Sequence, residues 1–349
     1  HVLFPPLGAL CRDEAKPVSK VYILHENDEW LPPFRSALNA EGVPFAEWHM
    51  ARILLDWEKS PPEGVFYNRM SASSHTRGHR SAPEYTAGAL FWLENHDRRV
   101  VNGRQALDLE LSKLRQYQAL QIHGIQTPRT WAARDETELK AFSQKIPGPF
   151  ITKHNRGGKG LGVHLFQHGK ALADFLDAGK LESPVDGIYL VQQYIQSREP
   201  FITRCEFIDG QFVYAVRVST ENGFELCPAD PCQPGNALCP TTTDDLQRFQ
   251  IIKNFAEPLL LKRYQAFLQT NAIEVAGIEF ITDENGRHWT YDVNTNTNYN
   301  RTAEERAKVS APRKLAKFLG SLLDDNFYQL KSAAILRHSS RIELCLIMG

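Results

Sequence analysis

The segment IEFITDENGRHWTYDVNTNTNYN, residues 278–300, brings two acidic side chains together in a way that an ordinary sheet would resist. Two apolar runs flank Asn285-Gly286, the dipeptide most typical of a tight β-hairpin. With these two residues as the loop, Glu284 faces Arg287, and counting back sets Glu279 directly opposite Asp292. Side chains alternate along a strand, so Asn294 shares the face of Asp292. Like charges directly opposite each other destabilise a sheet. At roughly 5 Å and an effective dielectric near 20, the repulsion is about 3 kcal/mol. A chain that keeps this pair must either compensate the two charges or splay them into solvent.

The rest of the chain gives that hairpin an ordinary globular setting. At 349 residues there is room for two or three domains. A formal net charge of −1 excludes a broad electrostatic partner, so neither nucleic acid nor an anionic membrane is expected. No run of 18 or more apolar residues occurs, and the opening HVLFPPLGAL lacks the layout of a signal peptide. The six cysteines form no CxxC pair, so a reducing, cytoplasmic setting is expected. Three of them, Cys227, Cys232 and Cys239, lie in a Pro-rich stretch whose irregular spacing offers no obvious fourth metal ligand.

Along the chain, KVYILH (20–25) and GVFYNRM (64–70) read as buried strands, with helical patterns between and after them. That alternation predicts a small parallel α/β unit over about the first hundred residues. Ser112 caps an expected helix carrying Leu114, Tyr117 and Leu120 at helical spacing, closed by Gly124. PFITK (149–153), GVHLF and IYLVQQYI (188–195) read as strands, and the region beyond reads as antiparallel, with two hairpins and then a helix near 303–323.

ITKHNRGGKGLGVHLF reads as strand, basic glycine loop, strand. It is neither a Walker loop nor a dinucleotide fingerprint, since a strand follows it rather than a helix. Gly157, Gly158, Gly160 and Gly162 would let backbone amides approach an anion, with Lys153 fixed at the strand end and Arg156 and Lys159 on the loop. A solvated glycine hairpin would have the same appearance. In FITRCEFIDGQFVYAVRVS, a two-residue Asp209-Gly210 loop would pair Arg204 with Ala215 and Ile202 with Arg217. Arg204 and Arg217 are then diagonal neighbours on one face, suited to an anion between them; Glu206 shares that face and offers a structural ion pair instead.

Taken in order, these segments resemble the ATP-grasp superfamily, specifically the branch similar to RimK, the ribosomal-protein glutamate ligase, and to glutathione-synthase-like carboxylate–amine ligases. The resemblance covers roughly residues 64–320. It implies an α+β fold in which an N-terminal parallel α/β domain precedes two α+β subdomains that clasp ATP between antiparallel sheets. The corresponding division is 1–111 for the N-terminal domain, 112–195 for the central subdomain with its lid loop, 196–330 for the C-terminal subdomain with its metal site, and 331–349 for a tail. On the matching motifs, Lys113 and Lys153 are implied to meet nucleotide phosphates, with Gly157, Gly158, Lys159 and Gly160 closing over them. Gln192, Gln193, Tyr194 and Ile195 are implied to flank adenine. Arg204 and Arg217 would face the transferring phosphoryl group, and Glu279, Asp292 and Asn294 would hold Mg2+, or alternatively Mn2+. The sequence departs from the pattern in its Asn-rich NTNTNYNR run and in having Glu then Asp where the commoner order is Asp then Glu.

The resemblance implies an ADP-forming, Mg-ATP-dependent ligase that makes an amide bond through an acyl phosphate. Its partners would be small-molecule or peptide carboxylates and amines, in a monomer or a homo-oligomer. Arg69, Arg77, Arg80, Asn296 and Asn298 are candidate substrate contacts. An ATP-grasp phosphotransferase and a non-catalytic ATP sensor are the alternatives.

Overall fold

The computed structural model describes residues 19–158, 160, 162–220 and 248–324. Lys159, the cysteines at 227–239 and the tail at 331–349 lie outside the described residues.

The first four apolar segments form a parallel sheet. Strands β1 (Lys20–His25), β2 (Phe45–His49), β3 (Gly64–Asn68) and β4 (Arg99–Val101) lie in the order β2-β1-β3-β4, linked by helices α1 (Pro32–Ala40) and α2 (Ala82–Asn95). The chain leaves β1 to one side for β2 and then crosses to the other side for β3. Ligands of open α/β sheets bind beyond the strand ends at such a reversal.

Helix α3 (Arg104–Glu110) leads into α4 (Lys113–Ile122), where the Ser112 side chain accepts from the Arg115 N–H, as the capping pattern predicts. A four-stranded antiparallel sheet follows, made of β5 (Thr130–Ala133), β6 (Phe150–His154), β7 (His164–Phe166) and β8 (Tyr189–Gln193) in the order β5-β8-β6-β7. Helices α5 (Glu136–Ser143) and α6 (Gly169–Asp177) share its core with Leu139, Leu172 and Leu176.

The third sheet is antiparallel, in the order β11-β10-β9-β12-β13. Its strands are β9 (Phe201–Ile208), β10 (Gln211–Ser219), β11 (Phe249–Ile252), β12 (Val275–Thr282) and β13 (His288–Asn294). One face packs Cys205, Phe207, Ile278 and Phe280 against α4 and helix α7 (Pro258–Thr270). Phe207, Phe267, Phe280 and Tyr264 are at most 2% exposed, and each such burial stabilises by roughly 1.5–3 kcal/mol. The other face carries Ile202, Val216, Val218 and Val275 into a core shared with β1, β3 and a helix over 311–324. A short helix α8 (Arg301–Ala307) precedes that one, so the helix expected near 303–323 is two, separated by Lys308 at φ 57°.

Both hairpins contain irregularities that a simple count misses. At β9–β10 the register shifts between Phe212 and Tyr214, so Arg204 pairs with Val216, and Arg217 with Thr203. A one-residue slip moves every side chain to the other face. The expected juxtaposition of Arg204 and Arg217 is therefore incorrect: Arg217 sits on the opposite face, exposed, with its guanidinium 4.3 Å above the Phe201 ring.

At β12–β13 two departures cancel. The loop spans residues 284–286, closed by Asp283 N–H donating to Arg287 O, with Gly286 at φ 76°, the left-handed position of a three-residue hairpin loop. A bulge then shifts the register between Glu279 and Phe280, restoring the Glu279–Asp292 pair. The bulge also turns Tyr291 and Asp292, adjacent in sequence, towards one cleft.

Candidate active site

The five-stranded sheet presents a charged row across three strands. Arg204 of β9 pairs with Glu279 of β12, which pairs with Asp292 of β13. In the next row Glu206 pairs with Gly277, and Gly277 with Asn294. Gly277 leaves space for the arginine: a Cβ there would lie 2.3 Å from Arg204 Nη2. Arg204 can thus lie flat, donating to Glu206 Oε1 at 2.6 Å, Glu279 Oε1 at 2.7 Å and Thr297 Oγ1 at 2.6 Å.

Each opposed carboxylate has its own cation. Arg204 serves Glu279, and Lys113, from the first turn of α4, donates to Asp292 Oδ1 at 2.5 Å. Lys153, at the end of β6, lies near the same acids, donating to Tyr117 Oη at 2.8 Å, with the rings of Tyr117 and Tyr291 within 6 Å. Asn155 ties the two lysines' elements together. Its Oδ1 accepts from Leu114 N–H at 3.0 Å and from Ser112 Oγ at 3.2 Å, and its carbonyl accepts from Lys113 N–H at 3.2 Å.

Burial and charge set the ionisation of this group. Burial alone would lower Lys113, but Asp292, Tyr117 and Glu110 together outweigh it and raise the ammonium's affinity for its proton. For Lys153, burial and the neighbouring Lys113 prevail over the attraction of Asp292 and Glu279 and lower it to about 7. Burial raises Glu279 despite Arg204, whereas the two lysines hold Asp292 below the usual range in spite of its burial. The resulting site combines one secure carboxylate, one reluctant carboxylate and one lysine poised near neutrality.

A cleft of about 230 Å³ collects these groups. Lys113, Lys153, Gly157, Gly158, Gly160, Arg204, Glu279, Asp292 and Asn294 line it, and so do Gln192, Gln193, Tyr194 and Ile195. The N–H groups of Gln193 and Tyr194 are bonded to Arg129 O and Pro149 O, and Gln192 Nε2 to Thr130 Oγ1. A base here would meet the segment's other backbone atoms. In the glycine loop, Gly160 and Gly162 have positive φ, and a Cβ on Gly162 would lie 2.5 Å from His154 Nε2. Arg156 turns away from the cleft and donates to Glu84 Oε1 at 2.7 Å.

The expected substrate residues divide. Asn296 and Asn298 line the cleft. Arg69 lies behind them, 5% exposed, donating to Asn296 Oδ1, Thr297 O and Asn298 Oδ1. Arg77 is held by Glu26 and packs 4.8 Å from the Trp30 ring, while Arg80 is paired with Glu84 on the surface. Neither of these two candidate substrate contacts lines the cleft. Tyr117, Asn155, Gly277, Tyr291 and Glu110 also build the site and are not among the residues expected from the sequence. Glu110 accepts from the N–H groups of Ala72 and Thr295, joining the N-terminal unit to the end of β13. Only Tyr117 carries a sequence signal, lying one helical turn beyond Lys113.

The model of the RimK-like ATP-grasp domain matches residues 111–319, more than half of the chain. The chain belongs to the RimK-like ATP-grasp family. A probable alpha-L-glutamate ligase of Aeromonas salmonicida (strain A449) is 28% identical over 140 residues, 40% of this chain and 46% of that protein. The match thus spans less than half the length of this curated relative. Among solved structures, the ATP-grasp ligase PsnB complexed with minimal precursor superposes with a TM-score of 0.61 at 17% identity, covering 86% of this chain and 98% of that one. A RimK domain protein ATP-grasp from Sphaerobacter thermophilus DSM 20745 gives a TM-score of 0.59 at 15% identity, covering 86% and 99%. At those identities the likeness concerns the fold, and it places this RimK-like chain among ATP-grasp structures over most of its length. Among its described residues, no helix is long and apolar enough to cross a membrane.

Proposed function

We propose that this RimK-like protein is an ATP-dependent carboxylate–amine ligase working through an acyl phosphate. The reading is carried by the Arg204–Glu279–Asp292 row with Lys113 and Lys153 beside it, all lining one cleft with the glycine loop. Such a cluster has little nucleophilic chemistry to offer and much charge to position.

Lys113 and Lys153 hold the ATP phosphates, and the backbone of Gly157, Gly158 and Gly160 covers them. Glu279, Asp292 and the Asn294 amide oxygen are donors that suit a hard cation, and the Asn294 Nδ2 donates to Glu279 Oε1 at 3.5 Å. When bound, Mg2+ neutralises charge on the phosphate oxygens. A PsnB structure is complexed with Mg and ADP, which supports this assignment. The substrate carboxylate oxygen attacks the γ-phosphorus, the bond to the β-phosphate oxygen breaks, and ADP leaves. An amine nitrogen then adds to the acyl carbon, phosphate departs, and the amine loses its proton to solvent. In this reading Arg204 stabilises the charge that grows in both steps, and the glycine loop excludes water from the acyl phosphate. Asn296 and Asn298, backed by Arg69, meet the acid or amine substrate, a small molecule or a peptide end.

Hydroxylamine supplied with ATP and the correct acid should trap a hydroxamate with stoichiometric ADP and phosphate, read by mass spectrometry and nucleotide analysis. Turnover of that acid with AMP as the nucleotide product would exclude the acyl phosphate.

Lys153 predicts a second result. Its proton affinity, lowered to about 7 in the free site, should rise again beside phosphate, so ATP binding takes up protons above that pH. Apparent affinity should fall as pH rises from about 7 to 9, and calorimetry in buffers of different ionisation enthalpy should show net uptake at pH 8. Lys153→Met should remove that uptake; uptake identical to wild type would contradict the assignment. The stability sign is fixed as well. The buried charge is fully penalised below about 7, and the penalty is relieved as pH rises towards the ordinary value of 10.5.

A further inference from the structure

We propose that His25, Asp28 and His49 form a binding site for one divalent transition-metal ion of the zinc class, at the carboxyl edge of the parallel sheet. It is separate from the carboxylate row of the ligase cleft.

The backbone sets up the site. His25 and His49 end the neighbouring strands β1 and β2 and are direct register partners. Their rings stand 5.1 Å apart, edge to face. The chain then turns into a short helix, Asp28–Trp30, which brings the Asp28 carboxylate to the same place. One ligand atom from each of the three residues lies within 4.8 Å of the others.

The orphaned nitrogens point to a ligand. His25 is 2% exposed, and its Nδ1 has no hydrogen-bond partner; both ring nitrogens of His49 are likewise buried without one. Buried polar atoms are rarely left so, and here three occur in two adjacent rings. His49 Nε2 and Asp28 Oδ2 stand 3.9 Å apart, too far for a hydrogen bond. Two ligands at about 2.0–2.1 Å from one tetrahedral ion would be separated by roughly 3.3 Å, so ligand atoms lying within 4.8 Å of one another must draw in by up to about 1.5 Å to close the site. Two imidazoles and a carboxylate leave a fourth tetrahedral position for water, and nitrogen-rich donors favour zinc-class ions over magnesium.

Two arginines near Asp28 weigh against a cation, but neither dominates. Arg35 is already neutralised by two 2.7 Å bonds to Glu47. Arg52, 3.2 Å from Asp28, is 65% exposed and can turn to solvent or remain as an outer partner. The site also borders the cleft wall: Trp30, in the same short helix as Asp28, lines the cleft and packs against Arg77. An ion fixing Asp28 would therefore fix that wall.

The test uses full-length protein stripped with chelator, without nucleotide or magnesium. Cobalt(II) titration followed by visible absorption, with zinc titration by calorimetry, should show one equivalent bound with a nitrogen–oxygen ligand-field spectrum. His49→Gln and Asp28→Asn should each weaken binding by more than about tenfold, whereas Asp292→Asn should retain the signal. No uptake by the wild type would overturn the proposal, as would uptake lost in Asp292→Asn and kept in His49→Gln. Asp28→Asn, in an exposed turn, decides the matter if His49→Gln does not fold. None of these readouts depends on ligase activity, so the ligase reading and the metal site can fail independently.

Discussion

Asp292→Asn is expected to cut turnover by on the order of a thousandfold or more and to destabilise the metal-free protein. The carboxylate has two roles. In the proposed complex it holds the metal ion; without metal it is the counter-ion of Lys113, at 2.5 Å. Both side chains are largely buried, 17% and 9% exposed. Removing one member of such a pair leaves the other charge uncompensated, at a cost of about 3 kcal/mol. A double-mutant cycle separates the two roles. Lys113→Met with Asp292→Asn should recover much of the lost stability, because no lone charge remains, and should recover no turnover. Thermal melts with magnesium and nucleotide supply the second readout: wild type should gain stability by mass action, and Asp292→Asn should gain far less. Near-wild-type turnover in Asp292→Asn, together with an equal magnesium-dependent gain, would remove the metal assignment.

That dual role also answers the question raised by the hairpin. Glu279 and Asp292 tolerate each other in the absence of metal because each brings a cation, Arg204 and Lys113. The pair was legible in the sequence because strand parity survives compensating errors: a longer loop moved the register one way and a bulge moved it back. At β9–β10 a single uncompensated bulge sent Arg217 to the wrong face. Bulges leave no firm sequence signal, since they depend on which faces the tertiary core can bury. The same limit explains the other omissions. Asn155 matters because it bridges a strand end to a helix start 41 residues earlier, and Gly277 because an arginine from another strand crosses it. Arg77 and Arg80 looked available only because Glu26 and Glu84 were not yet beside them. Lys113 and Lys153, by contrast, were singled out by the resemblance of their motifs, and the Ser112 cap and the strand pattern located the elements that carry them.

Arg204→Lys should lower turnover by on the order of a hundred- to a thousandfold and destabilise the fold by about 3–5 kcal/mol. The guanidinium is forked among Glu206, Glu279 and Thr297. Burial works against its charge, yet the two glutamates more than compensate and raise its affinity for the proton. Lysine supplies one point of charge and cannot span both acids. A loss of that size could come from misfolding alone, so Gly277→Ala is the deciding companion. It keeps Arg204 and its charge but puts a Cβ 2.3 Å from Nη2, forcing the guanidinium to shift. Overpacking of this kind costs about 1–3 kcal/mol, leaving a folded enzyme to assay. If Arg204 stabilises the transferring phosphoryl group, Gly277→Ala should lower kcat at least tenfold on the scale of a misplaced catalytic group, with ATP KM changed much less. A folded Gly277→Ala protein with wild-type kcat would show that Arg204 serves only to neutralise Glu206 and Glu279, and the phosphoryl-stabilising role would have to move to the lysines.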